Sequence, residues 1–171
     1  MEKLKLWERL GDIMEGRKTL GENMPVLVYR LFQYAIKDIL DEEYGIETAS
    51  DIFRKAGHLA GMEFAENTLH LEGDLDFFIA NLTETLKDLK IGYLNIEKSD
   101  LDKMHFVLTV SEDLDCSGLP VTNDTVCDYD EGFIAGILER YSGHPFDVKE
   151  IDCWASGDRT CRFDAKLLKK D

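Results

Sequence analysis

Prolines are scarce, three in 171 residues, and no internal repeat or low-complexity segment accompanies them. A Pro-rich linker is thereby excluded, and the chain reads as a single domain over 1–171. No apolar run reaches the ~18 residues that a bilayer span needs, so no membrane insertion is expected. The opening stretch, MEKLKLWERLGDIMEG, is charged throughout and is no signal peptide. A cytoplasmic protein with reduced thiols is the expectation. Basic residues are also in short supply: 20 Lys and Arg stand against 35 Asp and Glu, a formal net charge of −15. Such a surface repels nucleic acid and anionic lipid. The one basic string, KLLKK at Lys166–Lys170, reads as a solvated tail. There is no GxGxxG fingerprint or flavin motif to suggest a reductase, and no CxxC pair.

What is present is helical in the first half and mixed in the second. Leu4, Leu6, Trp7, Leu10 and Met14 share a face over 2–15, ahead of Gly16, which predicts a short amphipathic helix. A second helix is expected from about Asn23 and Pro25 to Gly45, with Val28, Leu31, Phe32, Ala35, Ile36 and Ile39 as its buried stripe. A third carries Ile52, Phe53, Ala56, Ala60 and Phe64. Its Gly57 and Gly61, four apart, suggest close approach of another helix. A fourth follows a cap at Asp74 or Asp76. The period then changes to two. IGYLNIEKS and KMHFVLTVSE read as a hairpin with Met104, Phe106, Leu108 and Val110 on the core face. A helix capped near Thr122 or Asn123 and closed by Gly143 precedes a second hairpin. The class is α+β: helices packed on an antiparallel sheet of about four to five strands.

The four cysteines, Cys116, Cys127, Cys153 and Cys161, crowd into the last third. A hairpin turn centred on Gly157 sets Cys153 opposite Cys161, Ile151 opposite Phe163 and Asp152 opposite Arg162. Facing Cβ atoms about 4.5–5.5 Å apart suit two thiolates on one zinc, whose sulfurs sit roughly 4 Å apart. Cys127 falls in the first turn of the preceding helix, where the dipole favours a thiolate. Cys116 comes from the loop before it. Glu150 joins only if the strand carries a bulge, and His144 is a weaker candidate. From spacing alone, metal ligation, buried reduced thiols, a Cys153–Cys161 disulfide and redox-active thiols all stay open.

The stretch VCDYDEGFIAGILERYSGHPFDVKEIDCWASGDRTCRF, with LGENMPVLVYRLFQYAI and EDLDCSGLP upstream, resembles the 4-vinyl reductase-like domain family over nearly the whole chain. The resemblance implies a fold like that of the haem nitric-oxide-binding domains and small TRAPP tethering subunits, the NO-signalling/Golgi-transport ligand-binding type. It implies a small-molecule-binding sensor domain, often a homodimer, with a structural zinc. The ligands implied are Cys127, Cys153 and Cys161 with Glu150, or with Cys116 in its place. The chain has neither the ATPase domain nor the DNA-binding helix-turn-helix of the family's transcription activators.

Three functions compete. A ligand-binding module would hold a small hydrophobic molecule in a pocket with Phe32, Phe53, Phe64, Phe78 and Trp154 as candidate lining, each also a plausible core residue. A reductase-type enzyme of tetrapyrrole metabolism, or a zinc hydrolase, would need an open metal position. A TRAPP-like assembly protein would pair through its first helix or the Gly57/Gly61 face. A haem role would need a helical histidine, for which His58 and His70 are the candidates.

Overall fold

The computed structural model describes residues 5–168, so Leu4 and Lys170 lie outside it. The backbone forms two compact units, residues 1–49 and 50–171. In the first unit the helix expected over 2–15 is broken. A 3-10 turn, Trp7–Leu10, ends at Gly11, whose φ of 68° no helix accommodates. Asp12 then starts a new turn, α1 (Ile13–Gly16), by accepting a hydrogen bond from the Glu15 amide. α2 (Val26–Tyr44) starts after Pro25, not Asn23, and ends at Gly45 with φ 83°. None of its residues is buried. The stripe expected to face a core is open: Leu31 is 69% and Phe32 68% exposed.

The second unit holds most of α3 (Ile46–Thr68), then α4 (Leu75–Asp88) and the sheet. Asp74 caps α4, its side chain accepting from the Phe77 amide. Strands β1 (Tyr93–Asp100), β2 (His105–Ser111), β3 (Phe146–Asp152) and β4 (Cys161–Leu167) form one antiparallel sheet in the order β1-β2-β4-β3. Alternation along β2 places Phe106, Leu108 and Val110 in the core as expected, whereas Met104 falls in the turn with φ 47°. α5 (Asp128–Ser142) lies between β2 and β3 in the chain.

The last hairpin corrects two expected pairings. Asp152 does face Arg162, and the two form an ion pair. Beyond that point the register shifts: Glu150, not Ile151, faces Phe163, and the irregularity falls between Glu150 and Asp152. Ile151 is left 50% exposed while Phe146, Val148 and Glu150 point inward. One extra residue on one strand produces this inversion of faces. Nor do Cys153 and Cys161 meet as a ladder pair. β3 stops at Asp152, and Cys153 opens a folded connection in which its carbonyl accepts from the amides of Ser156 and Asp158.

α3 and α5 cross backbone to backbone. A Cβ added to Gly57 would lie 2.0 Å from the Tyr129 carbonyl oxygen, and one at Gly132 would lie 1.9 Å from that of Arg54. Gly61 and Gly136 are as tightly placed against Phe133 and His58. The glycines of α3 are therefore a helix-packing surface, met by two glycines of α5, and that face is already occupied.

Candidate metal centre and apolar cavity

Three elements bring the four cysteines together. Cys116 sits in the loop after β2, where the Asp113 carboxylate accepts from the amides of Asp115 and Cys116 and folds the segment inward. Cys127 is the N-cap residue of α5, one position before its first turn, because the helix starts at Asp128 and not near Thr122 or Asn123. The amides of Thr122 and Asn123 instead bond the Ala155 carbonyl, which fastens this loop to the Cys153–Cys161 connection. Cys153 and Cys161 bracket that connection. All four side chains are buried, and their sulfurs lie within 4.8 Å of one another. Cys127 Sγ is 3.8 Å from both Cys153 Sγ and Cys161 Sγ, and Cys116 Sγ is 3.0 Å from Cys161 Sγ. These separations exceed a disulfide bond of about 2.05 Å. They bracket the roughly 3.8 Å between sulfurs that share a tetrahedral ion at ~2.3 Å.

The chemistry of the donor set agrees with a metal site. Four sulfurs in one buried group cannot all stay charged without a cation. Hydrogen bonds from Cys116, Cys127 and Cys161 push the Cys153 thiol down, and contacts of the same kind push Cys127 up. Glu150 approaches through the chain bulge: its Oε2 accepts from the Cys127 amide at 3.0 Å, while Oε1 is buried without a partner. Burial pushes this carboxyl up to about 8. Its own backbone amide donates to Glu131 Oε1 at 2.9 Å.

Nothing in the sequence singles out Glu131, which passes for an acid complementing the α5 dipole. Buried, it also accepts from Arg54 Nε of α3 at 2.6 Å and from Lys149 of β3 at 3.1 Å. It thus ties α3, α5 and β3 at the end of α5 where Cys127 sits. Among the histidines, His58 pairs with Glu139 at 2.7 Å, and His70 and His144 are exposed.

On its other side α5 borders a cavity of about 50 Å³. Phe133, Ile134, Ile137 and Leu138 line it from α5, Phe78 and Leu82 from α4, and Phe106 and Leu108 from β2. Of the aromatic candidates, Phe78 lines this cavity and stacks on Tyr141 at 3.9 Å. Phe64 is buried against Phe133, Phe53 is half-buried, and Phe32 is exposed on α2. Trp154 is half-buried, its Nε1–H donating to the Leu119 carbonyl beside the cysteine group. Two acids interrupt the apolar lining, Asp113 and Asp130. The sequence conceals both, since EDLDC and CDYD read as solvated acidic loop. Burial, with the nearby charge of Asp115, pushes Asp113 up to about 7 and raises Asp130 well above the usual carboxylate range.

Comparison with known proteins places this arrangement. Residues 106–167, from β2 through β4, match the model of the vinyl-4-reductase domain. An uncharacterized protein of Methanocaldococcus jannaschii is 28% identical over 153 residues, 90% of this chain and 82% of its own. Among solved structures, a vinyl-4-reductase family protein of the same organism superimposes with TM-score 0.65 at 18% identity, covering 99% of this chain and 98% of that one. The phenol-responsive sensory domain of the transcription activator PoxR, bound to phenol, gives 0.65 at 17%, over 85% and 77%. A trafficking protein particle complex subunit 3 from Naegleria fowleri, covalently bound to palmitic acid, gives 0.65 at 13%, over 84% and 95%. An H-NOX protein from S. oneidensis shares the fold at 0.55 and 12%, over 95% and 88%. With a four-stranded antiparallel sheet and five α-helices among the described residues, and with the cysteine group inside the matched segment, the chain is a vinyl-4-reductase-domain protein of the H-NOX/TRAPP-like α+β fold.

Proposed function

We propose that the chain, 1–171, is a ligand-binding module of the sensor type. It holds a small hydrophobic molecule in the cavity between α4, α5 and the sheet, and a structural zinc on Cys116, Cys127, Cys153 and Cys161. One observation carries the reading: α5 serves both sites, with Cys127 at its N-cap and Phe133, Ile134 and Ile137 on the cavity. Soft thiolates favour zinc over hard cations. Four sulfurs fill a tetrahedral ion completely, which suits a structural ion and leaves no position for a reacting water. Zinc would supply a cross-link between the β2–α5 loop, the start of α5 and the β3–β4 connection. Glu150 would then act through the Cys127 amide it holds and not as the fourth ligand. The phenol and palmitate of the two structural relatives support an apolar ligand.

The module works in the cytoplasm, where its thiols stay reduced. No helix among the described residues is long and apolar enough to cross a membrane. It works as a homodimer, for which the open stripe of Leu27, Leu31 and Phe32 on α2 is the support. Metal analysis of purified wild type and Cys153→Ser, beside titration with toluene as an apolar probe, tests the reading. Wild type should carry zinc and bind toluene, and the variant should lose the metal. Unchanged metal content in Cys153→Ser would refute the zinc site, and absence of toluene binding would refute the pocket.

A further inference from the structure

The cavity is apolar except at one end. There Asp113 and Asp130 are its two polar lining residues, and a carboxylate oxygen from each lies within 4.8 Å of the other and of Cys127 Sγ. The two acids are not equivalent. Asp113 is engaged by its own loop, its Oδ1 taking the amides of Asp115 at 2.8 Å and Cys116 at 3.1 Å. Asp130 Oδ2 is buried and has no hydrogen-bond partner. Folded proteins rarely leave such an oxygen unpaired, because its lost hydration is not recovered. Asp130 lies one turn into α5 from Cys127, on the stretch of helix whose next turns supply Phe133 and Ile134 to the cavity. An apolar chamber with one buried, unanswered oxygen selects for a ligand with an apolar body and one polar head.

We infer that Asp130 reads a hydroxyl group on the ligand, so that the cavity takes a small apolar alcohol or phenol and discriminates against the corresponding hydrocarbon. This rests on the ligand-binding reading above and adds the chemical class. A hydroxyl meets the geometry whether the carboxyl is ionised or not, since it both donates and accepts. An ether or a hydrocarbon cannot donate to a carboxylate. The volume agrees: a single water needs about 10–15 Å³ of such space, so 50 Å³ accommodates a small ring or a short chain and not a large polycyclic ligand. The head group would sit beside the start of α5 and the cysteine group, and the body along Phe78, Phe133 and Ile134.

Calorimetric titration of the zinc-loaded full chain with phenol and with toluene tests the inference. A purely apolar cavity ranks toluene first, because phenol must give up the hydration of its hydroxyl. With Asp130 reading the hydroxyl the order reverses, phenol binding about tenfold or more tightly than toluene. Asp130→Leu should restore the hydrocarbon order. Toluene binding as tightly as phenol in the wild type, or a phenol preference that survives in Asp130→Leu, overturns the assignment of Asp130 while leaving the pocket in place. Binding of neither compound removes the pocket itself and the inference with it. Should Asp130→Leu show no cooperative melting transition, the wild-type ranking of the two probes decides alone.

Discussion

α2 and α5 carry the same kind of sequence signal, apolar residues returning every three or four positions with a glycine just past the end, and they have opposite fates. All of α2 is unburied, with Leu27, Leu31 and Phe32 its most open apolar residues. α5 is enclosed on several sides: Gly132 and Gly136 lie against the α3 backbone, Glu131 is fastened by Arg54 and Lys149, Phe133 and Ile134 reach the cavity, and Cys127 begins it. Periodicity reports that a face is apolar but not what covers it. The features that mark α5 as the functional helix are the small and polar residues between its apolar ones, which shape close approach, charge pairing and metal chemistry.

The contrast can be broken most forcefully at the start of α5. Cys153→Ser or Cys127→Ser should release the metal and lower stability by several kcal/mol, a sizeable share of the ~10–16 kcal/mol that structural zinc supplies in small peptides. Chelator-dependent melting of each variant checks this, and a melting curve indifferent to chelator in the wild type would speak against it. Next, Gly132→Ala forces a methyl into the Arg54 carbonyl. Separation of α3 from α5 should cost about 3 kcal/mol in urea unfolding, the upper range of overpacking. Glu131→Ala removes the acceptor of three donors, Arg54, Lys149 and the Glu150 amide, and should cost about 2 kcal/mol by the same measurement. The smallest effect on the folded chain is expected on α2. Phe32→Glu should leave the melting temperature of dilute protein almost unchanged and shift sedimentation from dimer toward monomer. A large loss of melting temperature in dilute protein would assign Phe32 to the interior of the chain.

Local chemistry is legible in the sequence. Asp74 as the α4 cap, Gly45 and Gly143 as helix stops, and the alternation of Phe106, Leu108 and Val110 each depend on neighbours a few residues away. The Asp152–Arg162 pair is legible for the same reason. What escapes depends on tertiary context. The bulge at Ile151 carries no composition signal, yet it turns Glu150 inward to hold Cys127. The start of α5 reads too early because Thr122 and Asn123 are good caps, whereas their amides are taken by Ala155. Asp113, Asp130 and Glu131 look like solvated acids because buried acids and surface acids are the same letters. Their signal is positional: each lies three or four residues from a cysteine of the buried group.

Whether the four cysteines form a filled structural metal centre at the head of the cavity helix decides most of what is proposed for this chain. Native mass spectrometry of the unmodified protein, purified without added metal or chelator and paired with elemental analysis, tests it most directly. A filled centre gives one zinc per chain, two per dimer, retained through buffer exchange and lost together with compact charge states on chelation. A protein that is compact, unchanged by chelator and free of bound zinc would contradict it.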